Sequence, residues 1–255
     1  MSRWKASLTH LTISAVIATA VLALMLLVWY PHPLFAAVGG QQVLMILLGV
    51  DMTLGPLVTL IIFNAKKSRK ALTFDLSMIA TVQLAALIYG MSVVYQARPV
   101  FVVFSKDSFD LVTANMLKTA DIAKAEYPDY RSLPLTGPVY VYTQMPADIR
   151  ERNEVVFNAL SGGIDLPQLP KYYMPYAEHM AAAGQAAKPI ADLKKHNPDR
   201  IAEIDEAVRK SGRAEAELGY LPLRAKYQDQ AVLVGKTDGK IQAAIHVSPW
   251  QTSRE

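Results

Sequence analysis

The chain has no cysteine, which excludes a disulfide framework, a zinc ribbon and a thiol nucleophile. Its five histidines, His10, His32, His179, His196 and His246, form no two-ligand spacing such as His-x-x-x-His. Gly39-Gly40 and Gly162-Gly163 are lone pairs outside any phosphate-loop pattern, and no Gly-x-Ser-x-Gly elbow occurs. The acidic groups Glu178-His179 and Glu203-Asp205-Glu206 read as solvated helix faces. No catalytic constellation, metal site or cofactor is expected, and the chain is read as a non-enzyme.

Charge is also scarce at the start. Residues 1–95 hold six Lys/Arg and two Asp/Glu of the chain's 26 and 22, which leaves 20 of each sign for the rest. The net charge of +4 therefore belongs to the first part of the chain and gives no reason to expect a nucleic-acid partner.

That first part contains three apolar stretches, residues 8–29, 43–63 and 74–95. Each is long enough to cross roughly 30 Å of hydrocarbon at about 1.5 Å per helical residue. The first exceeds the usual apolar core of a signal peptide, and Phe35 occupies the place of a small residue before a cut after Ala37, so a retained anchor is expected. Arg3 and Lys5 precede the first stretch, the connection 30–42 carries no Lys or Arg, and Lys66-Lys-Ser-Arg-Lys70 follows the second. The positive-inside rule then places the N-terminus and the basic loop in the cytoplasm and exports everything after residue 95. Trp4, Trp29, Tyr30, Tyr89 and Tyr95 fall where interfacial aromatics are expected.

Within the second stretch, Leu48-Gly-Val-Asp-Met-Thr-Leu-Gly-Pro-Leu-Val-Thr59 sets a carboxylate, two glycines and a proline in apolar surroundings. A charge in mid-membrane costs about 2.5–3.5 kcal/mol on insertion scales, so Asp51 is a candidate functional residue. The competing reading is a protonated carboxyl that only holds neighbouring helices together. Counted from the span ends, Asp51, Thr19 and Gln83 lie roughly 12, 14 and 18 Å deep and are expected to meet. Gly49, Gly55 and Pro56 complete the candidate partner-binding set, the glycines allowing close helix approach. Asp75 is read as the N-terminal cap of the third span.

Residues 96–255 are expected to form one mixed α/β domain with its own core. Residues 98–104 and 109–113 read as a hairpin, 138–143 as a strand, and 231–235 with 240–247 as a second hairpin about Thr237-Asp-Gly239. Residues 114–126 read as a helix, as do 146–160 with Asp148 in the first turn and Gly162-Gly163 as the stop. Pro189 and Pro198 mark further helix starts, and 165–175, with three prolines and two tyrosines, reads as an ordered loop. The fold class is thus an α+β membrane protein: three N-terminal transmembrane helices (1–95) followed by a mixed α/β exported domain (96–255) with antiparallel hairpins.

Trp29-Tyr-Pro-His-Pro-Leu-Phe35, the Leu48–Thr59 block, Phe74-Asp-Leu76, Tyr89-Gly90 and Ala97-Arg-Pro-Val100 together resemble the type IV pilin accessory proteins of the TfpX/TfpZ group. The resemblance covers the first hundred residues closely and the remainder in outline, where the closing hairpin and Pro249-Trp250 are similar. It implies a bacterial inner-membrane factor with a periplasmic domain. Such a factor binds a type IV pilin subunit in chaperone-like fashion and assists its stability or assembly, with other pilus assembly proteins as further partners. The alternative is a membrane-anchored sensor whose periplasmic domain binds a ligand. A transporter or membrane enzyme is disfavoured, because three spans with one deep carboxylate show neither inverted repeats nor a paired polar relay.

Overall fold

The computed structural model describes residues 2–64 and 66–250, without the side chains of Val43, Ile46, Leu47, Leu48, Val50 and Asp51. The chain divides into two compact units, one of Met1–Val28 and Gly40–Gln96, the other of Trp29–Gly39 and Ala97–Glu255. The connection after the first helix thus belongs to the second unit.

The first unit is helical. Helix α1 (Arg3–Leu24) starts at Ser2, whose side chain accepts from the Lys5 amide, and runs on through a π-helical turn, Met25–Trp29. In the second unit, α2 (Leu34–Ala37) is a single turn. Back in the first, α3 (Gly40–Gly49) and α4 (Gly55–Ile62) are joined by a π-helical turn, Val50–Leu54. Pro56 sits in the first turn of α4, where its missing N–H costs nothing. Helix α5 (Arg69–Gln96) is 28 residues long. Two helices, Arg3–Trp29 and Arg69–Gln96, are long and apolar enough to cross a membrane by length and composition; the 43–63 stretch contributes the shorter apolar helix Met52–Ile62. Asp75 is not a cap. The helix already begins at Arg69, and the Asp75 carboxylate pairs instead with Lys67 at 2.5 Å.

The second unit is built on a mixed sheet. Its strands are β1 (Pro99–Ser105), β2 (Ser108–Thr113), β3 (Val139–Thr143), β4 (Tyr173–Pro175), β5 (Lys188–Pro189), β6 (Leu218–Arg224), β7 (Gln230–Gly235) and β8 (Ile241–Ile245). The order is β4-β3-β1-β2-β6-β7-β8, with β5 also paired to β6. The expected hairpins β1–β2 and β7–β8 are antiparallel, whereas β1–β3 and β2–β6 pair in parallel. Strands β1, β6 and β7 are buried almost throughout, the mark of strands covered on both faces. Val102, Phe104, Phe109, Leu111, Leu221, Leu223, Val232 and Val234 share one core with α8 (Tyr176–Ala186). The alternate residues Phe101, Val103, Val112 and Val141 pack against Leu117, Ile122, Tyr130 and Tyr173. A third cluster joins β6, β7 and β8 to α9 (Ile190–His196) and α10 (Ile201–Ser211).

The expected helix over 114–126 is a 3-10 turn at Ala114–Met116 and one helical turn, α6 (Thr119–Ile122). Leu117 and Lys118 between them are extended, which lets Leu117 enter the core. The expected loop 165–175 is ordered, with two 3-10 turns and the edge strand β4. Helix α7 (Ile149–Leu160) follows its caps: the Asp148 carboxylate accepts from the Arg150 and Glu151 amides, and Gly162, at φ +73°, ends it.

In the closing hairpin turn, hydrogen bonds from Arg213 hold the Asp238 carboxyl at a pKa of about 2, below its ordinary 3.8. The contribution of this exposed pair is complete above the ordinary value and fades as pH falls toward 2.

Candidate functional site

The polar groups of the helical unit converge on one seam. Along α1, Ser7, His10 and Ser14 follow i, i+3, i+7 spacing and share a face. The Ser7 hydroxyl donates to the Pro56 carbonyl at 2.9 Å, a carbonyl of the first turn of α4. His10 Nδ1 lies 2.6 Å from Thr59 Oγ1, and Thr59 is 1% exposed. From α5, the Gln83 amide ends over Gly55. A Cβ placed on Gly55 would overlap Gln83 Nε2 and lie 3.0 Å from His10 Nε2. Gly55 is thus the point where three helices bring polar atoms together, and its lack of a side chain makes the convergence possible.

Around this seam the unit is open. Helix α4 packs on both α1 and α5. A groove of about 480 Å³ lies between α1 and α5, lined by Ile13, Ile17, Ile79, Leu84 and Leu87, with His10, Ser14, Thr59 and Gln83 as its polar part. A second apolar groove of about 350 Å³ runs along α4 and α5, past Leu54, Gly55, Val58, Val82 and Gln83. Gln83 and Ile79 line both. Such an arrangement offers hydrogen bonds from a mostly apolar trough, which is chemistry for holding an apolar helix by its polar groups.

The six sequence-chosen residues divide. Gly55, Pro56 and Gln83 stand in the seam. Thr19 does not: it is exposed, and its hydroxyl donates back to the Ala15 carbonyl at 2.8 Å. Two positions beyond Ile17, it is turned about 200° away from the groove. Gly49 has open space where a side chain would go, so no helix approaches it closely among the described residues. Asp51 belongs to the π-helical turn Val50–Leu54, and its side chain lies outside the described residues. Sequence reading missed Ser7, His10, Ser14 and Thr59. The signal is a polar i, i+3, i+7 stripe on an apolar helix, which a search of the histidines for metal-ligand spacing does not detect.

The comparisons with known proteins agree on one family. Residues 1–39 match the family model described as fimbrial assembly protein FimB. The fimbrial assembly protein of serogroup E1 from Dichelobacter nodosus is 30% identical over 248 residues, 97% of this chain and 96% of the relative. The serogroup I protein of the same organism is 29% identical over equal coverage. The protein of serogroups C1 and C2 is 38% identical over 124 residues, 49% of this chain and 91% of the relative. No solved structure matches. With near-complete coverage of such relatives, the resemblance read from the sequence holds, and the chain belongs to the fimbrial assembly protein family, a type IV pilus accessory family.

Proposed function

We propose that this chain is a non-enzymatic accessory factor of the bacterial inner membrane that holds a type IV pilin subunit before or during pilus assembly. The observation that carries the reading is the polar seam of Ser7, His10, Thr59 and Gln83 within an apolar, open groove. A helix that is apolar on all sides and yet unburied suits a bilayer, and 17% and 0% of the apolar windows of the two long helices are buried. Ser7, His10 and Thr59 are engaged with the Pro56 carbonyl and with each other, while Ser14 and Gln83 line the groove, where acyl chains cannot hydrogen-bond to them and the polar groups of another membrane helix can. The names of the relatives support an assembly role.

In this reading the stretch 40–62 crosses as the second of three spans, the N-terminus and the basic loop 66–70 face the cytoplasm, and Ala97–Glu255 is periplasmic. Alkaline phosphatase fused after Gln96 is expected to be active and a cytoplasm-dependent reporter at the same place silent. The opposite pair of results refutes the orientation.

The function itself is tested at Asp51. If Asp51 serves the partner, Asp51→Asn accumulates at the normal level but loses pilin crosslinking and surface pili. Retention of both by Asp51→Asn removes the Asp51 carboxylate from the partner-binding set.

The sensor reading finds less support. The polar cleft of the second unit, about 560 Å³, carries Asp121, Lys124, Glu151 and Lys171, but these already form the ion pairs Lys124–Asp121 and Lys171–Glu151.

A further inference from the structure

We propose that Trp29–Gly39 is a strap on which the folded state of the second unit depends, so that the domain completes its core only when the segment joining the first two long helices is seated in it. The strap is not a surface connection. Tyr30, Leu34 and Ala37 are 3%, 3% and 0% exposed, and Leu34 and Ala37 belong to the same core as Val102, Phe104, Leu111, Leu223 and Val232.

Its polar contacts are as particular as its apolar ones. Gln230, fully buried at the start of β7, donates from Nε2 to the Pro33 carbonyl at 3.0 Å, and its Oε1 has no hydrogen-bond partner among the described residues. Without the strap the whole carboxamide would be left unsatisfied, a costly state for a buried polar group. The Tyr227 and Gln228 amides both donate to the Ala37 carbonyl, at 3.2 and 3.4 Å. Gly39, at φ +72°, lies flat under the Tyr227 ring, where a Cβ would come within 2.9 Å of the ring carbons. The strap therefore fits the β6–β7 turn by glycine conformation, backbone hydrogen bonds and a buried carboxamide together.

The order of the chain gives this fit its consequence. Pro33 and Gln230 are 197 residues apart, so the strap is made long before its seat. The seat is lined by apolar residues of β1, β2, β6 and β7, and it stays open until those strands have formed around residues 29–39. The two ends of the strap are the C-terminus of the first long helix and the N-terminus of α3. Folding of the domain and correct threading of these helices become one condition, whether or not the helices bind a partner.

Amide hydrogen exchange on the full chain in nanodiscs tests this. In one variant Leu34-Phe-Ala-Ala-Val38 is replaced by Gly-Ser-Gly-Ser-Gly of the same length; in a milder one, Leu34→Ala. Exchange in β1, β2, β6 and β7 is expected to accelerate about 100-fold in the first and about 30-fold in the second, while α5 keeps its protection. Adding the free 29–39 peptide to the first variant is expected to restore slow exchange. Rates within about twofold of the parent chain in Leu34→Ala, or no response of the replaced-strap chain to the peptide, overturn the proposal.

Discussion

Gly239→Ala is expected to destabilise the second unit by about 3 kcal/mol or more, lowering its melting temperature by roughly 10 °C. Gly239 holds φ +61° in the turn between β7 and β8, and a Cβ there would overlap the carbonyl of Met180 in α8. The neighbour is backbone and cannot swing aside. The Gly239 carbonyl accepts a 2.7 Å hydrogen bond from the buried Tyr176 hydroxyl, so a displaced turn would lose that bond too. Gly212, at φ +70° with nothing within 4 Å among the described residues, is the control. Gly212→Ala carries the backbone strain without the collision and should cost only about 1–2 kcal/mol. Thermal melts of both variants separate the two terms, and equal losses would show that the overlap with Met180 is relieved by a small shift.

The second large effect lies in the helical unit. Gly55→Leu should lower the steady-state amount of the chain severalfold and cost about 2–3 kcal/mol, because the new side chain displaces both the Gln83 amide and the His10 ring. Gly55→Ala should be milder, since the nearest atom is the free end of a flexible glutamine. Gly49→Leu should change little, as nothing among the described residues stands within 4 Å. Immunoblots of membranes from cells expressing each variant at equal transcript level decide the ranking. A defect at Gly49 as large as that at Gly55 would place a neighbour on the wrong side of this helix.

Much of this architecture is legible in local sequence because the forces that set it are local. The continuous β-branched and aromatic run at Phe101–Phe104, the Asp148 cap with its glycine stop and the Asp-Gly turn at 238–239 each specify an element within about fifteen residues. Pairings of distant segments leave no such mark. Nothing near Val139 announces that it will lie parallel to Phe101, and nothing near Phe109 announces Leu223. The strap is the extreme case: Pro31-His-Pro-Leu reads as a connection, and only the fold reveals that Leu34 and Ala37 are core residues.

The candidate site was half legible for a similar reason. Gly55 and Gln83 stood out as small and polar residues in apolar helices, but depth alone could not give the rotation that turns Thr19 outward and His10 inward. Helical phase supplies that information: Ser7, His10 and Ser14 share one face with Ile17, whereas Thr19 does not.

The central claim is that the groove between α1 and α5 receives a pilin helix, and site-specific photocrosslinking in living cells tests it most directly. A benzophenone side chain at Ile13, Ile17 or Leu84, which line the groove, should yield an adduct containing the pilin subunit. The same probe at Leu8, on the opposite face of α1, should yield none. Adducts free of pilin at all three groove positions, in cells that carry both proteins in the membrane, would contradict the account.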